Sequence, residues 1–255
     1  MTIQLSRVSA AATLTVLAAT ACSTPTATTT DAATTTEGVA VAAAFYPFEF
    51  VAKRVVGDVG TVTTVTSPGV EPHDVELSPV TVRTMRNADV VLYLSNFQPA
   101  VDDAIESTGT YGLDVAGAFS LGPAGQQAFP GDQPGDANTA FWNFWLDPTL
   151  LATYTQGVGE ALARLDPANR DTYVTNAANL AQELTSLADQ YSAGLAQCAR
   201  RDIIVSHEAF GYLAQAYNLT QVGIAGINPQ NEPSPAQVRE IRDLVTATGT
   251  TTVFT

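Results

Sequence analysis

Read along the chain, apolar and polar residues alternate between two periods. Val39 to Phe45 is a continuous apolar run, which predicts a strand buried on both faces. Phe48 to Val56 suits a helix. Thr61 to Thr66 is a β-branched run closed by Ser67-Pro68-Gly69. Ser78-Pro79 predicts a helix start, with Ser as N-cap and Pro in the first turn. Ala88 to Leu94 is a further buried strand, followed by a helix from about Gln98 and a strand near Leu113 to Ala116. Strands alternating with helices predict an α/β fold with a parallel sheet.

The second half repeats this rhythm. Asp147-Pro148 caps a helix whose apolar face is Leu151, Tyr154, Val158, Ala161 and Leu165. Asp166-Pro167 caps another. There Tyr173, Ala177, Leu180, Leu184, Leu187, Tyr191 and Leu195 recur at steps of three and four, which predicts one helix of about 30 residues, roughly 45 Å long. On periodicity alone such a helix either braces two lobes or packs on a single sheet. After Arg200-Arg201 come a strand at 202–205, a helix at 209–217 and a strand at 221–226. Ser234-Pro235 opens a helix to about Thr246, and Thr251 to Thr255 opens another strand. The ending is abrupt and reads as a fragment. Residues 121–140 have the Gly, Pro, Asp and Gln content of a surface loop, but no His that would make it a metal-collecting one.

The N-terminus reads as an address. In residues 1–21, Arg7 precedes a mildly apolar stretch from Val8 to Ala19 that is too short to span a bilayer. Ala19-Thr20-Ala21-Cys22 resembles a bacterial lipobox, so Cys22 is the candidate lipidation site and membrane anchor. Eight of the fourteen residues from Ser23 to Thr36 are Thr, so residues 22–38 read as a lipidated cysteine followed by a flexible tether. The folded part is then an extracytoplasmic, lipid-anchored domain.

Composition narrows the function classes. The chain has 255 residues, 11 Lys+Arg and 25 Asp+Glu, for a net charge of −14. A nucleic-acid binder needs a basic face, and here Lys53 is the only lysine. Two cysteines, Cys22 and Cys198, make neither a zinc finger nor a disulfide scaffold. No GxSxG, HExxH, P-loop or GxGxxG occurs, so no enzyme activity is expected. A metal-dependent hydrolase built on the two histidines would need a general base beside an open coordination position.

Both histidines, His73 and His207, fall just after predicted strands, where open α/β sheets bind their ligands. Imidazole is a common ligand for transition metals. Asp74 and Glu208 are candidates to orient the rings.

The residues Phe45-Tyr46-Pro47, the PGVEPHDVELSP stretch at 68–79, ADVVLYLS, FWLDP at 144–148, VSHEAFGYLAQAYNL at 205–219 and GINPQNEPSP at 226–235 together resemble the ZnuA/TroA-like solute-binding lipoproteins of zinc and manganese ABC importers. The resemblance runs from about Val39 to Thr255. It implies two (βα) lobes joined by one long spine helix: an N-terminal lobe at 39–166, a linking helix at 167–200 and a partial C-terminal lobe at 201–255. It further implies a divalent metal held between the lobes of a monomer and handed to an ABC permease. His73 matches the first ligand and His207 the third. Asn143 stands where the family has its second histidine, and the chain ends before the usual acidic fourth ligand. The resemblance implies zinc first, with manganese as the alternative because an amide oxygen is a harder donor. Glu71, Asp74 or Glu208 is then needed if a carboxylate is to reach the metal. The family also includes adhesins, so a surface-interaction protein with weakened metal binding is the rival reading.

Overall fold

The computed structural model describes residues 38–121, 142–226 and 232–255. The predicted signal segment, Cys22 and the Thr-rich tether lie outside the described residues. So do most of the 121–140 loop and Ile227 to Asn231 of the GINPQNEPSP stretch. Four strands, β1 (Ala40–Ala43), β2 (Thr61–Thr64), β3 (Val90–Tyr93) and β4 (Gly112–Asp114), form a parallel sheet in the order β2-β1-β3-β4. A second parallel sheet has the order β6-β5-β7, from β5 (Asp202–His207), β6 (Thr220–Ala225) and β7 (Val253–Phe254). The protein is thus α/β, as its alternating pattern predicts, with the two lobes that the family resemblance implies.

The local chemistry of the helix starts is what the sequence dictates. Ser78 accepts a hydrogen bond from the Thr81 N–H at 3.1 Å and opens α2 (Pro79–Arg86). Asp147 accepts from Thr149 N–H at 2.8 Å and opens α5 (Pro148–Leu165). Ser234 accepts from Gln237 N–H at 3.2 Å and opens α8 (Pro235–Thr248). Each cap satisfies a backbone donor that the first turn leaves free. The remaining helices are α1 (Tyr46–Val56), α3 (Pro99–Thr108), α4 (Val115–Leu121), α6 (Arg170–Leu195) and α7 (Gly211–Ala216). The sequence reading missed α4 and extended the fourth strand to Ala116, which lies in that helix.

The main core packs the first sheet against α1, α5 and the first part of α6. Phe48, Val51, Val55, Val90, Leu92, Tyr154, Val158, Tyr173 and Leu180 are its buried centre. α5 fits closely between its neighbours because Gly157 and Gly159 lack side chains. A Cβ on Gly157 would stand 1.7 Å from the Ala118 carbonyl oxygen, and one on Gly159 would stand 2.5 Å from Ala177 Cβ. The second lobe has a smaller buried set that includes Ile204, Val205, Ala225 and Ile241.

The spine differs from its predicted length. Residues 167–169 form a separate 3-10 turn, and α6 spans 26 residues, about 39 Å. Its stripe is buried from Tyr173 to Ala188, but Leu187 and Tyr191 are exposed. Leu165, counted on the apolar face of α5, is exposed as well.

Candidate metal centre

All strands within each sheet are parallel, so each sheet presents its C-terminal strand ends along one edge. His73 and His207 lie at those ends, whereas Asn143 precedes α5. His73 sits on a 3-10 turn, Pro72–Asp74, in the connection after β2. Pro72 fixes the first position of that turn, and the Glu71 carboxylate accepts the His73 N–H at 3.4 Å. The turn is tied to the sheet by a buried chain of polar groups. Gln98 is 2% exposed, and its Nε2 donates to the Pro72 carbonyl at 2.9 Å and to Thr66 Oγ1 at 2.8 Å. The Thr66 hydroxyl donates in turn to the Ala44 carbonyl at 2.7 Å. A satisfied buried network of this kind specifies one geometry.

The His73 ring lies against two aromatic rings, Phe97 at 4.2 Å and Trp142 at 4.6 Å between centroids, and those two meet edge to face at 5.3 Å. Its Nδ1 is enclosed and makes no hydrogen bond of standard geometry. Its Nε2 faces the Glu71 carboxylate at 3.9 Å. Burial pushes the His73 pKa below its ordinary value of 6.5. The charge of His207 lowers it further, while Glu71, Asp74 and the Phe97 carbonyl act in the opposite direction. The net result is a neutral imidazole at neutral pH, the form that has a free lone pair.

Asn143 has φ 63° and ψ 17°, a left-handed conformation that asparagine tolerates better than most residues. It precedes a 3-10 turn, Phe144–Leu146, and its carbonyl accepts the Leu146 N–H at 3.0 Å. Phe144 is fully buried near Phe48 and Tyr154, and Trp145 packs on Phe45. Asp147 closes the segment by capping α5. Asn143 is 7% exposed and Trp142 is 9% exposed. Asn143 Nδ2 and Trp142 Nε1 are buried with no hydrogen-bond partner.

His207 is the last residue of β5, in register with Ala225, rather than a residue beyond that strand. Ser206 Oγ lies 3.4 Å from its Nδ1. Glu208 donates its N–H to the Gly226 carbonyl, and its side chain occupies the space above Gly223. The charge of His207 acts on His73, an electrostatic link between the imidazoles of the two lobes. The lobes also meet where α7 packs on the Phe144–Leu146 turn. Tyr212 of α7 joins the main core, and Asp147 acts on the Tyr217 hydroxyl, whose pKa is raised first by burial.

The candidate donors are therefore two imidazoles and one amide. Among the described residues, no three His, Cys, Asp or Glu side chains stand together as a metal cluster. Glu71 is the carboxylate beside His73, and its side chain is 43% exposed. Sequence reasoning missed Trp142, Phe97, Gln98 and Thr66, which shape the pocket without carrying ligand chemistry. Cys198 is free and exposed, in a separate cavity of about 440 Å³ lined also by Leu195, Arg200, Ile204 and Phe254. Among the described residues, no helix is long and apolar enough to cross a membrane.

Known proteins share this fold. The laminin-binding protein of Streptococcus agalactiae, described as bifunctional with adhesin and metal transporting activity, superposes with a TM-score of 0.73. It is 28% identical, over 85% of this chain and 79% of that one. The zinc-binding lipoprotein AdcA of Streptococcus pneumoniae is 29% identical over 213 residues, 80% of this chain but 42% of the relative. The high-affinity zinc uptake system protein ZnuA of Bacillus subtilis is 26% identical over 209 residues, 79% of this chain and 66% of the relative. This chain thus spans less than half the length of the pneumococcal lipoprotein. The family model described as ZnuA, zinc-uptake complex component A, periplasmic, matches residues 41–255, and the chain belongs to that family.

Proposed function

We propose that this protein is the extracytoplasmic solute-binding component of a metal ABC importer, capturing zinc between its lobes for delivery to a membrane permease. His73 and His207 are the primary ligands, Asn143 stands at the third position, and lipid at Cys22 holds the monomer near its permease. It is a carrier rather than an enzyme. The observation that carries the reading is the placement of the chain's two histidines, one in each lobe, at or just past C-terminal strand ends, with the charge of His207 acting on His73. Zinc favours such borderline nitrogen donors over the oxygen-rich shells that manganese prefers. The zinc-binding names of the pneumococcal and Bacillus relatives support the same choice of metal.

The test is a competition titration of the full chain with zinc, and with manganese alongside. His73→Ala, His207→Ala and Asn143→His are titrated in parallel, with circular dichroism to confirm folding. One zinc per chain is expected, with binding lost in either alanine variant and strengthened in Asn143→His. Zinc binding that survives both alanine variants defeats the reading. A second reading, a surface adhesin on the same fold, is favoured by Asn143 at the usual histidine position and by the printed adhesin role of the S. agalactiae neighbour. It gains if folded protein binds no metal and the purified chain binds immobilised laminin.

A further inference from the structure

We propose that a pocket at the C-terminal edge of the first sheet receives an arginine side chain of a partner protein, whose guanidinium packs on the Tyr46 and Trp145 rings and pairs with the Glu49 carboxylate. The pocket encloses about 240 Å³. One wall is the start of α1, which follows β1, and another is the loop that follows β2. Trp145 closes it from the turn before α5. Pro72 is both a wall of this pocket and the first residue of the turn that carries His73, so a partner seated here lies against that turn. The importer reading is needed only to say who the partner is, the permease; the chemistry of the pocket stands apart from it.

Tyr46 is 71% exposed and Trp145 is half-buried, so the mouth is aromatic and open. Aromatic walls alone would suit an apolar occupant, but Glu49 excludes one. Its carboxylate lines the pocket, with the side chain 19% exposed. A hydrogen bond from Lys53 holds its pKa below the ordinary 4.5 despite burial, and one from Thr64 acts in the same direction, so Glu49 is ionised at neutral pH. Covering an ionised carboxylate with an apolar group removes its water and returns nothing. The occupant therefore brings positive charge and N–H donors. Lys53 does not line the pocket and is 59% exposed. An exposed pair of this kind is weak, and a carboxylate has about four acceptor sites, so Glu49 can share itself with a second cation. A metal ion would need more ligands than one carboxylate, and no cluster of three His, Cys, Asp or Glu forms among the described residues. Arginine fits better than lysine, because its planar guanidinium packs flat on aromatic rings and offers a fork of N–H donors to a carboxylate. The net charge of −14 favours encounter with a basic partner.

The probe is N-acetyl-arginine methylamide, titrated into the full chain and followed by heteronuclear NMR at residues 45–49 and 66–72. Saturable shifts centred there are expected, with a dissociation constant on the order of 10 mM. The citrulline analogue keeps the shape without the charge and is expected to bind about tenfold more weakly, with the lysine analogue several-fold weaker than arginine. Glu49→Gln is expected to erase the difference between arginine and citrulline. Tyr46→Ala, on the exposed rim, is expected to weaken arginine binding several-fold. Circular dichroism and zinc titration of both variants are expected to match the parent, because neither residue is a proposed ligand. No saturable shift in the parent up to about 100 mM overturns the proposal. So does arginine binding no better than lysine or citrulline, or binding unchanged in Glu49→Gln or in Tyr46→Ala. Free arginine binding more tightly than the blocked form would make this a small-molecule site and overturns docking. Absence of zinc binding with the arginine preference intact defeats the importer reading and leaves the pocket standing.

Discussion

His73 Nε2 stands 3.9 Å from Glu71 Oε1 while the opposite ring nitrogen is enclosed by protein. The two residues are linked twice, because the same carboxylate accepts the His73 backbone N–H. Glu71 therefore orients the turn and lends negative charge to the Nε2 edge of the imidazole. Its side chain is 43% exposed, so water screens that charge. Pairs of this exposure contribute about 0 to 1 kcal/mol. Glu71→Gln is expected to weaken zinc binding by up to about fivefold and not to abolish it. Competition titration beside His73→Ala checks this, and total loss in Glu71→Gln would make Glu71 a ligand in its own right.

The same burial that keeps His73 neutral makes the metal-free protein sensitive to acid. In the unfolded chain His73 titrates at its ordinary 6.5, while burial holds the folded value below that. Between the two values the unfolded chain binds more protons, so stability rises with pH across that interval. This contribution is present above 6.5 and lost as pH falls through the folded value. Urea midpoints of the metal-free chain are expected to decline from about pH 7 to about pH 5, and less steeply in His73→Gln. Identical slopes for the two proteins would show that His73 is not the group responsible.

Gln98 is the residue through which the sheet holds the His73 turn. Its Nε2 makes two hydrogen bonds, a buried one to Thr66 and a part-buried one to the turn at Pro72. Gln98→Leu removes the donor and strands two acceptors, which is expected to cost about 2 to 3 kcal/mol. Loss of zinc affinity should accompany it, because Pro72 directly precedes His73, the proposed ligand. Chemical denaturation and zinc titration of the same preparation test the two effects together. A destabilised variant with unchanged zinc affinity would show that the turn holds its shape without the network.

Much of this architecture was legible because it is local. Ser78, Asp147 and Ser234 cap helices through bonds to their own first turns, so the sequence around each suffices to read it. His73 and His207 stood out because each follows or ends a β-branched or apolar strand. The spine was misjudged for a physical reason. Leu187, Tyr191 and Leu195 continue the apolar stripe, but periodicity states which residues share a face, not whether anything covers it. The helix Val115–Leu121 is short and holds a glycine, so its propensity signal is weak. The unpartnered nitrogens of Trp142 and Asn143 were not legible at all, since satisfaction of a buried donor depends on packing between distant segments.

Two glycines in helices test the packing from opposite sides. Gly157 of α5 has the Ala118 carbonyl where a Cβ would go, while Gly194 of α6 has open space around it. Gly157→Ala is expected to destabilise by about 1 to 3 kcal/mol through overpacking. Gly194→Ala is expected to stabilise by about 0.4 to 1 kcal/mol by restricting the unfolded chain and favouring helix. Urea midpoints of the two variants should move in opposite directions, and a common direction would contradict the packing described.

The junction between the spine and the second lobe sets where His207 sits. The Arg201 guanidinium donates to the Ala196 carbonyl just past α6 and to the Tyr217 carbonyl just past α7, each at 3.3 Å. Tyr191 of α6 stacks on Tyr217 at 5.4 Å, so the same corner is held by a ring contact. β5 begins at the next residue, Asp202, and ends at His207. Arg201→Ala frees two carbonyls that are close to solvent, so its expected cost is only about 1 kcal/mol. Its effect on the proposed metal site should be larger in proportion, because a small rotation of β5 moves His207 relative to His73. Hydrogen exchange is expected to quicken across residues 202–225 while β1, β3 and α5 keep their protection, and zinc affinity is expected to fall several-fold. Faster exchange in both lobes would instead mean that Arg201 supports the whole fold, and unchanged zinc affinity would mean that the Tyr191–Tyr217 stack alone fixes the corner.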